Sequence, residues 1–292
     1  MSNAFEIVTD SSCNLTEKEI DQLGLHILSL SYIVNDVEKF SYVKGQVFNH
    51  EEFYGQLRNK ASAKTSQVTP EQAREVCEPL LDEDKDILYI GFSSGLSGTF
   101  NAVRVALEEL KEEFPGRKIM FEDTLAASAG QAYLVRVACK MREEGKSIEE
   151  THAWIAENKL KICHFFTVDD LWHLQRGGRL SLGKAAIGTL LSVKPILIIN
   201  NEGRLVPVGK VKGRKKSLDH LLDKMAEKID PVASNKVGII HSVAESDARY
   251  LEEQIKAKHK GLETDIFHLE PVIGTHTGPG VCALIFTGKE RE

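Results

Sequence analysis

Residues 86–113 run from a short apolar strand, Asp86-Ile87-Leu88-Tyr89-Ile90-Gly91, through a loop of small residues, Ser93-Ser94-Gly95-Leu96-Ser97-Gly98, into a helical stretch from about Thr99 to Glu113. A strand that feeds a helix through such a turn is half of a parallel crossover, because the chain must return before the next strand can lie beside the first. The pattern recurs. A strand at 118–122 precedes a helix at 127–144, and a strand at 5–9 ends in the turn-prone Asp10-Ser11-Ser12. Helix starts carry their own signals: the capping boxes Thr16-x-x-Glu19 and Ser147-x-x-Glu150, and Thr69-Pro70-Glu71-Gln72 with Thr as N-cap and Pro in first position. The first half therefore reads as a mainly parallel sheet with helices on both faces. Ligands of such sheets bind beyond the carboxyl ends of the strands, where the serine- and glycine-rich loops fall.

The second half reads differently. Residues 26–34 are extended and turn at Asn35-Asp36, still within the first half; a strand at 162–168 then leads to Gln175-Arg176-Gly177-Gly178-Arg179. Residues 195–200 and 204–211 flank Asn201-Glu202-Gly203 as an antiparallel hairpin. Helices at 217–228 and 245–258 alternate with strands at 236–241 and 264–268, and a last strand at 281–287 follows Gly278-Pro279-Gly280. The expected fold is α/β in two domains, 1–163 with the parallel sheet and 164–292 with antiparallel strands.

Composition narrows the function classes. The chain has 292 residues, 42% hydrophobic and 27% charged, and a net charge of −6, which argues against a nucleic-acid binder. The most apolar window, 185–199, is broken by Thr189, Ser192, Lys194 and Pro195, so no membrane span is expected. A basic patch followed by an apolar block is missing, so no signal peptide is expected. The five cysteines, Cys13, Cys77, Cys139, Cys163 and Cys282, form no Cys-x-x-Cys, and a reducing cytoplasm is their natural setting.

Several motifs carry possible chemistry. Gly91-Phe92-Ser93-Ser94-Gly95 matches the nucleophile elbow Gly-x-Ser-x-Gly, with Asp265 and His276 in the right order to complete a serine acyl hydrolase. No oxyanion segment is visible upstream, and the loop runs on through Leu96-Ser97-Gly98 instead of turning straight into its helix. Turn and capping roles account for the same serines. Lys64-Thr65-Ser66-Gln67 is open to two readings: a polar loop, or neutral donors aimed at an anion near a helix start. His276 lies between threonines in Thr275-His276-Thr277-Gly278-Pro279-Gly280, and the histidines show no metal-ligand spacing, so no metal is expected. Arg176-Gly177-Gly178-Arg179 suits an anion but is not a P-loop. Lys210, Lys212, Arg214, Lys215 and Lys216 read as a solvated turn or as a patch for an acidic partner.

In order, Ile7-Val8-Thr9-Asp10-Ser11-Ser12, Lys64-Thr65-Ser66-Gln67, Ser93-Ser94-Gly95-Leu96-Ser97-Gly98-Thr99-Phe100-Asn101, Asp123-Thr124 with Ala127-Ser128, Arg176-Gly177-Gly178-Arg179-Leu180-Ser181, Lys194-Pro195-Ile196-Leu197 and His276-Thr277-Gly278-Pro279-Gly280 span nearly the whole chain. This series resembles the DegV family, including the fatty-acid-binding B subunits of bacterial fatty acid kinase. The resemblance implies a two-domain α/β carrier that encloses a long-chain fatty acid, with the carboxylate near the domain junction. By motif, Thr65 and Ser97 would donate to the carboxylate, with His276 close by or acting through water. Ser66, Ser94 and Gly98 would be secondary ligand contacts, and Arg176 and Arg179 partner or phosphate contacts. It further implies an ATP-dependent fatty acid kinase partner that makes the acyl-phosphate for phospholipid synthesis, and no cofactor beyond the bound lipid. Phe100 stands where many relatives carry Tyr.

Overall fold

The apolar runs of the first half form the strands of a parallel sheet, and capping boxes start three of the helices beside it. A computed structural model of the chain describes residues 5–169, 171–180 and 192–292. Its elements begin with β1 (Glu6–Asp10), α1 (Glu17–Leu23), β2 (Leu25–Leu28), β3 (Ser31–Val34), β4 (Val37–Phe40), α2 (His50–Arg58) and β5 (Ala63–Ser66). There follow α3 (Pro70–Asp82), β6 (Ile87–Gly91), α4 (Thr99–Glu113), β7 (Ile119–Asp123), α5 (Ala129–Glu143) and α6 (Ile148–Asn158). The remainder is β8 (Ile162–Thr167), α7 (Trp172–Arg176), β9 (Val193–Ile199), β10 (Leu205–Lys212), α8 (Arg214–Lys228), β11 (Lys236–His241), α9 (Glu245–Lys258), β12 (Glu263–His268), α10 (Pro271–Thr277) and β13 (Cys282–Thr287).

The described residues form three sheets. The first has the order β2-β1-β6-β7 and all its pairings are parallel. The second, β10-β9-β8-β13-β11-β12, is antiparallel except for β11 beside β12. The third is β4-β3-β5. All three expected capping boxes are present, with Thr16, Thr69 and Ser147 each accepting from the backbone three residues on. Asn35 and Asp36 both take positive φ between β3 and β4, the conformation a two-residue hairpin turn requires.

The chain packs as two compact units. One holds the residues up to Tyr32, Glu38–Val47 and Thr65–Lys159; the other holds Ile33–Val37, Phe48–Lys64 and the residues from Leu160 onward. This differs from the simple cut at 163/164, because α2 belongs to the second unit. There Tyr54 is fully buried, its hydroxyl donates to the Leu269 carbonyl at 2.9 Å, and its ring lies where Gly274 has no side chain.

In the first unit α3 pairs with α4 and α5 with α6, and members of both pairs pack on the parallel sheet. In the second, α8 and α9 lie on the six-stranded sheet, where Leu218, Leu221 and Met225 meet Ile196, Ile239 and Leu284 in one apolar cluster. Each such buried side chain contributes roughly 1.5–3 kcal/mol relative to exposure. Of the apolar window at 185–199, residues 185–191 lie outside the described residues, while β9 supplies buried Ile196, Leu197, Ile198 and Ile199. Among the described residues no helix is long and apolar enough to cross a membrane.

Candidate functional site

The carboxyl end of β6 opens into the loop 92–98, and nearly every turn of that loop is tied down. The Phe92 N–H donates to Asp10 Oδ2 at 2.8 Å, and the Ser93 N–H to the Ala126 carbonyl at 3.1 Å. The Ser94 N–H reaches both Asp123 oxygens at 3.3 Å, and the Gly95 N–H reaches Ser93 Oγ at 3.2 Å. Asp10 is itself fully buried. It also accepts from the Ser12 backbone and hydroxyl and from the Tyr89 hydroxyl. Burial raises its pKa against the pull of these hydrogen bonds. Asp10 thus works as a fixed anchor between β1 and the loop, a role that sequence reasoning left unassigned; its only signal was an acid closing an apolar strand.

The loop presents Ser97 half-buried at the start of α4. Ser97 Oγ accepts the Thr99 N–H at 3.2 Å and lies 3.0 Å from Thr99 Oγ1. Thr99 Oγ1 in turn accepts the Val68 N–H at 3.3 Å. The Gln67 side chain lies over Gly98 so closely that any Cβ there would collide with its amide. The segment that carries Thr65 is therefore fastened to the loop that carries Ser97. Along β5 burial alternates: Thr65 is half-buried, whereas Lys64 and Ser66 are exposed. Ser66 thus points away from the face that Thr65 shares, and Ser94 is held through its backbone to Asp123. The N-cap position of α4, Gly98, offers no side-chain cap, so the positive end of a fifteen-residue helix adjoins Ser97. Neutral hydroxyl donors beside a helix N-terminus favour a carboxylate.

The Gly91–Gly95 match does not form a nucleophile elbow. Ser93 is fully buried, and seven residues separate the end of β6 at Gly91 from the start of α4 at Thr99. Asp265 pairs with Lys236 at 2.6 Å.

The second unit carries its own polar cluster. Glu270 caps α10 by accepting from the Val272 and Ile273 N–H groups, with Pro271 at the first position. His276 rides on α10 with its ring against the Gly177 backbone, where a Cβ would collide with Nδ1. Burial first, then the charges of Arg179 and Arg176, push the His276 pKa down to about 3, so the ring is neutral near pH 7. Arg179 Nη1 donates to the Gly177 carbonyl at 2.6 Å. Arg176 donates to the Ala61 and Thr275 carbonyls at 3.4 Å and stacks 4.6 Å over Trp172. Trp172, with Arg58 and Lys60, lines an open cleft of about 410 Å³ whose acid, Asp169, is already paired with Lys194 at 3.0 Å. The basic run 210–216 is less free than its composition suggests. Arg214 is tied to Asp247 at 2.7 Å, and Lys215 pairs with Asp219 at 3.2 Å.

Among the described residues no group of three His, Cys, Asp or Glu side chains is placed to hold a metal ion. His50, His268 and His241 lie side by side with tilted rings, the centroids 4.5 Å apart for His50 and His268 and 4.3 Å for His241 and His268.

The chain is thus α/β, with a parallel first sheet and a mixed second sheet, and it carries an anchored serine loop at a strand end. Residues 4–289 match the family model described as "Uncharacterised protein, DegV family". The chain belongs to the DegV family. It is 40% identical over 288 residues to a DegV domain-containing protein of Clostridium perfringens, covering 99% of each. A structure of fatty acid binding by a DegV family protein from Thermus thermophilus superposes with a TM-score of 0.86 at 28% identity, over 98% of this chain and 99% of that one. A fatty acid binding DegV family protein of Streptococcus agalactiae gives a TM-score of 0.83 at 32% identity, again over 98% and 99%.

Proposed function

We propose that this protein binds a long-chain fatty acid, buries its acyl chain and holds its carboxylate through the hydroxyls of Thr65 and Ser97. The observation that carries this reading is the likeness, over nearly the full chain, to fatty-acid-binding DegV structures, together with an anchored loop that offers a hydroxyl beside a helix N-terminus. From the family resemblance we propose that His276 acts on the same carboxylate, close by or through water. A ring neutral at pH 7 would serve it by hydrogen bonding, without a charge of its own.

The energetics suit a carrier. Burying roughly 14 methylenes of a C16 chain at about 0.8 kcal/mol each yields about 11 kcal/mol before the costs of association. The head group then need only orient the acid. Hydroxyl donors leave the carboxylate able to react, whereas a bidentate arginine would occupy both oxygens. We propose further that the protein is a carrier, working in the cytoplasm, that presents the carboxylate to an ATP-dependent kinase subunit for acyl-phosphate formation. Arg176 and Arg179 would meet the partner or the incoming phosphate.

The test is uptake: delipidated protein titrated calorimetrically with palmitate and oleate should bind one equivalent. Failure of both to bind would contradict the reading.

A further inference from the structure

We propose that Thr99 is a positioning residue that fixes the direction of the Ser97 hydroxyl proton and so sets the site to receive an anion. The proposal rests on the reading of Ser97 as a carboxylate donor. Thr99 is fully buried, and a buried hydroxyl must donate its proton or forfeit a hydrogen bond. Its Oγ1 has two partners among the described residues. One is the Val68 N–H at 3.3 Å, which can only donate; the other is Ser97 Oγ at 3.0 Å. The Thr99 proton therefore goes to Ser97.

Ser97 Oγ receives the Thr99 backbone N–H as well, at 3.2 Å. Both lone pairs of Ser97 are then engaged, and its own proton has no acceptor among the described residues. A half-buried hydroxyl that can only donate is what a carboxylate oxygen needs. The reverse arrangement, with Ser97 donating to Thr99, would strand the buried Thr99 proton and turn a lone pair toward the carboxylate. Thr99 lies two residues from Ser97 in sequence, and its second partner, Val68, comes from the segment that carries Thr65. One hydroxyl thereby holds the strand and the loop in register while it orients the donor.

The experiment compares Thr99→Val, Thr99→Ser, Ser97→Ala and the Ser97→Ala/Thr99→Val double variant, using palmitate labelled with ¹³C at the carboxyl. Thr99→Val should weaken palmitate binding by about tenfold, the loss of one hydrogen bond's orientation at a charged acceptor. It should also move the bound carboxyl resonance toward its position in Ser97→Ala. Thr99→Ser should restore both, and the double variant should bind no more weakly than Ser97→Ala alone. Because Thr99→Val also strands the Val68 N–H, its melting temperature should fall. A purely structural role would stop there, leaving the carboxyl resonance at the parental position and the two losses multiplying, and that outcome overturns the proposal.

Slow exchange of the Thr99 hydroxyl proton, read by NMR on the parental protein, is expected whatever the ligand; fast exchange overturns the proposal even if Thr99→Val fails to fold. Parental protein that takes up no palmitate at all contradicts the fatty-acid reading instead, and the proton direction is then read from the nuclear Overhauser effect between the Thr99 hydroxyl proton and the Ser97 methylene, whose absence overturns the proposal.

Discussion

The imidazole of His276 and the backbone of Gly177 are packed so closely that a methyl group on Gly177 would collide with the ring. The same ring has its pKa lowered to about 3 by burial and by Arg179 and Arg176. Gly177→Ala should therefore push the ring toward water and move its titration up toward the ordinary value near 6.5. NMR titration of the ring protons reads this directly. A midpoint that stays near pH 3 in the variant would show that the glycine does not hold the ring.

Stability should depend on pH through the buried histidines. His276 titrates at about 3, and His50 and His241 at about 4, each lowered first by burial. In the unfolded chain they take up protons near 6.5. Between that value and pH 4 the unfolded state binds more protons, so the histidine contribution is complete above 6.5 and declines as the pH falls. Asp10 acts in the opposite sense: its raised pKa gives a contribution that is full below 3.8 and lost as pH rises through the folded value. With three histidines against one acid, the urea midpoint should fall steadily from pH 6.5 to 4.5, and replacing His50 and His241 by Gln should flatten the slope. A level profile in the parent would contradict the assignment.

Each of Thr65→Ala and Ser97→Ala should weaken fatty-acid binding by roughly 10- to 150-fold, since a hydrogen bond to a charged group contributes about 1.5–3 kcal/mol. That is well below the contribution of the tail, so single variants should still carry lipid through purification. The double variant should lose much more. Equal retention in the parent and the double variant, measured by competition with a fluorescent fatty acid, would place the carboxylate elsewhere.

Arg176→Ala separates docking from packing. Arg176 is exposed, stacks on Trp172 and, among the described residues, makes two long hydrogen bonds to carbonyls. If Arg176 meets the proposed kinase partner, Arg176→Ala should lower kinase-coupled acyl-phosphate formation several-fold while lipid content and melting temperature stay near parental values. A joint fall in stability and lipid load would make it structural instead.

The features legible in the sequence were the local ones. The boxes Thr16–Glu19, Thr69–Gln72 and Ser147–Glu150 close within one helical turn, and the hairpin at Asn201-Glu202-Gly203 is set by its own residues, so their physics lies in adjacent positions. The short α7 and α10 were not legible. α10 is seven residues long and announced only by Glu270-Pro271, and α7 is five. β5 read as a loop, since Ala63, Lys64, Thr65 and Ser66 lack the apolar alternation of a strand. The placement of α2 with the second unit depends on Tyr54 reaching Leu269, 215 residues away. Thr99 had no signal of its own, because its role is created by Val68 and Ser97 once folding brings them together.

If this chain carries a long-chain fatty acid, as proposed, mass spectrometry of an organic extract from the denatured, purified protein should find close to one equivalent of C16–C18 acid per chain. An extract without stoichiometric fatty acid, from protein that also fails to take up added palmitate or oleate, would contradict it.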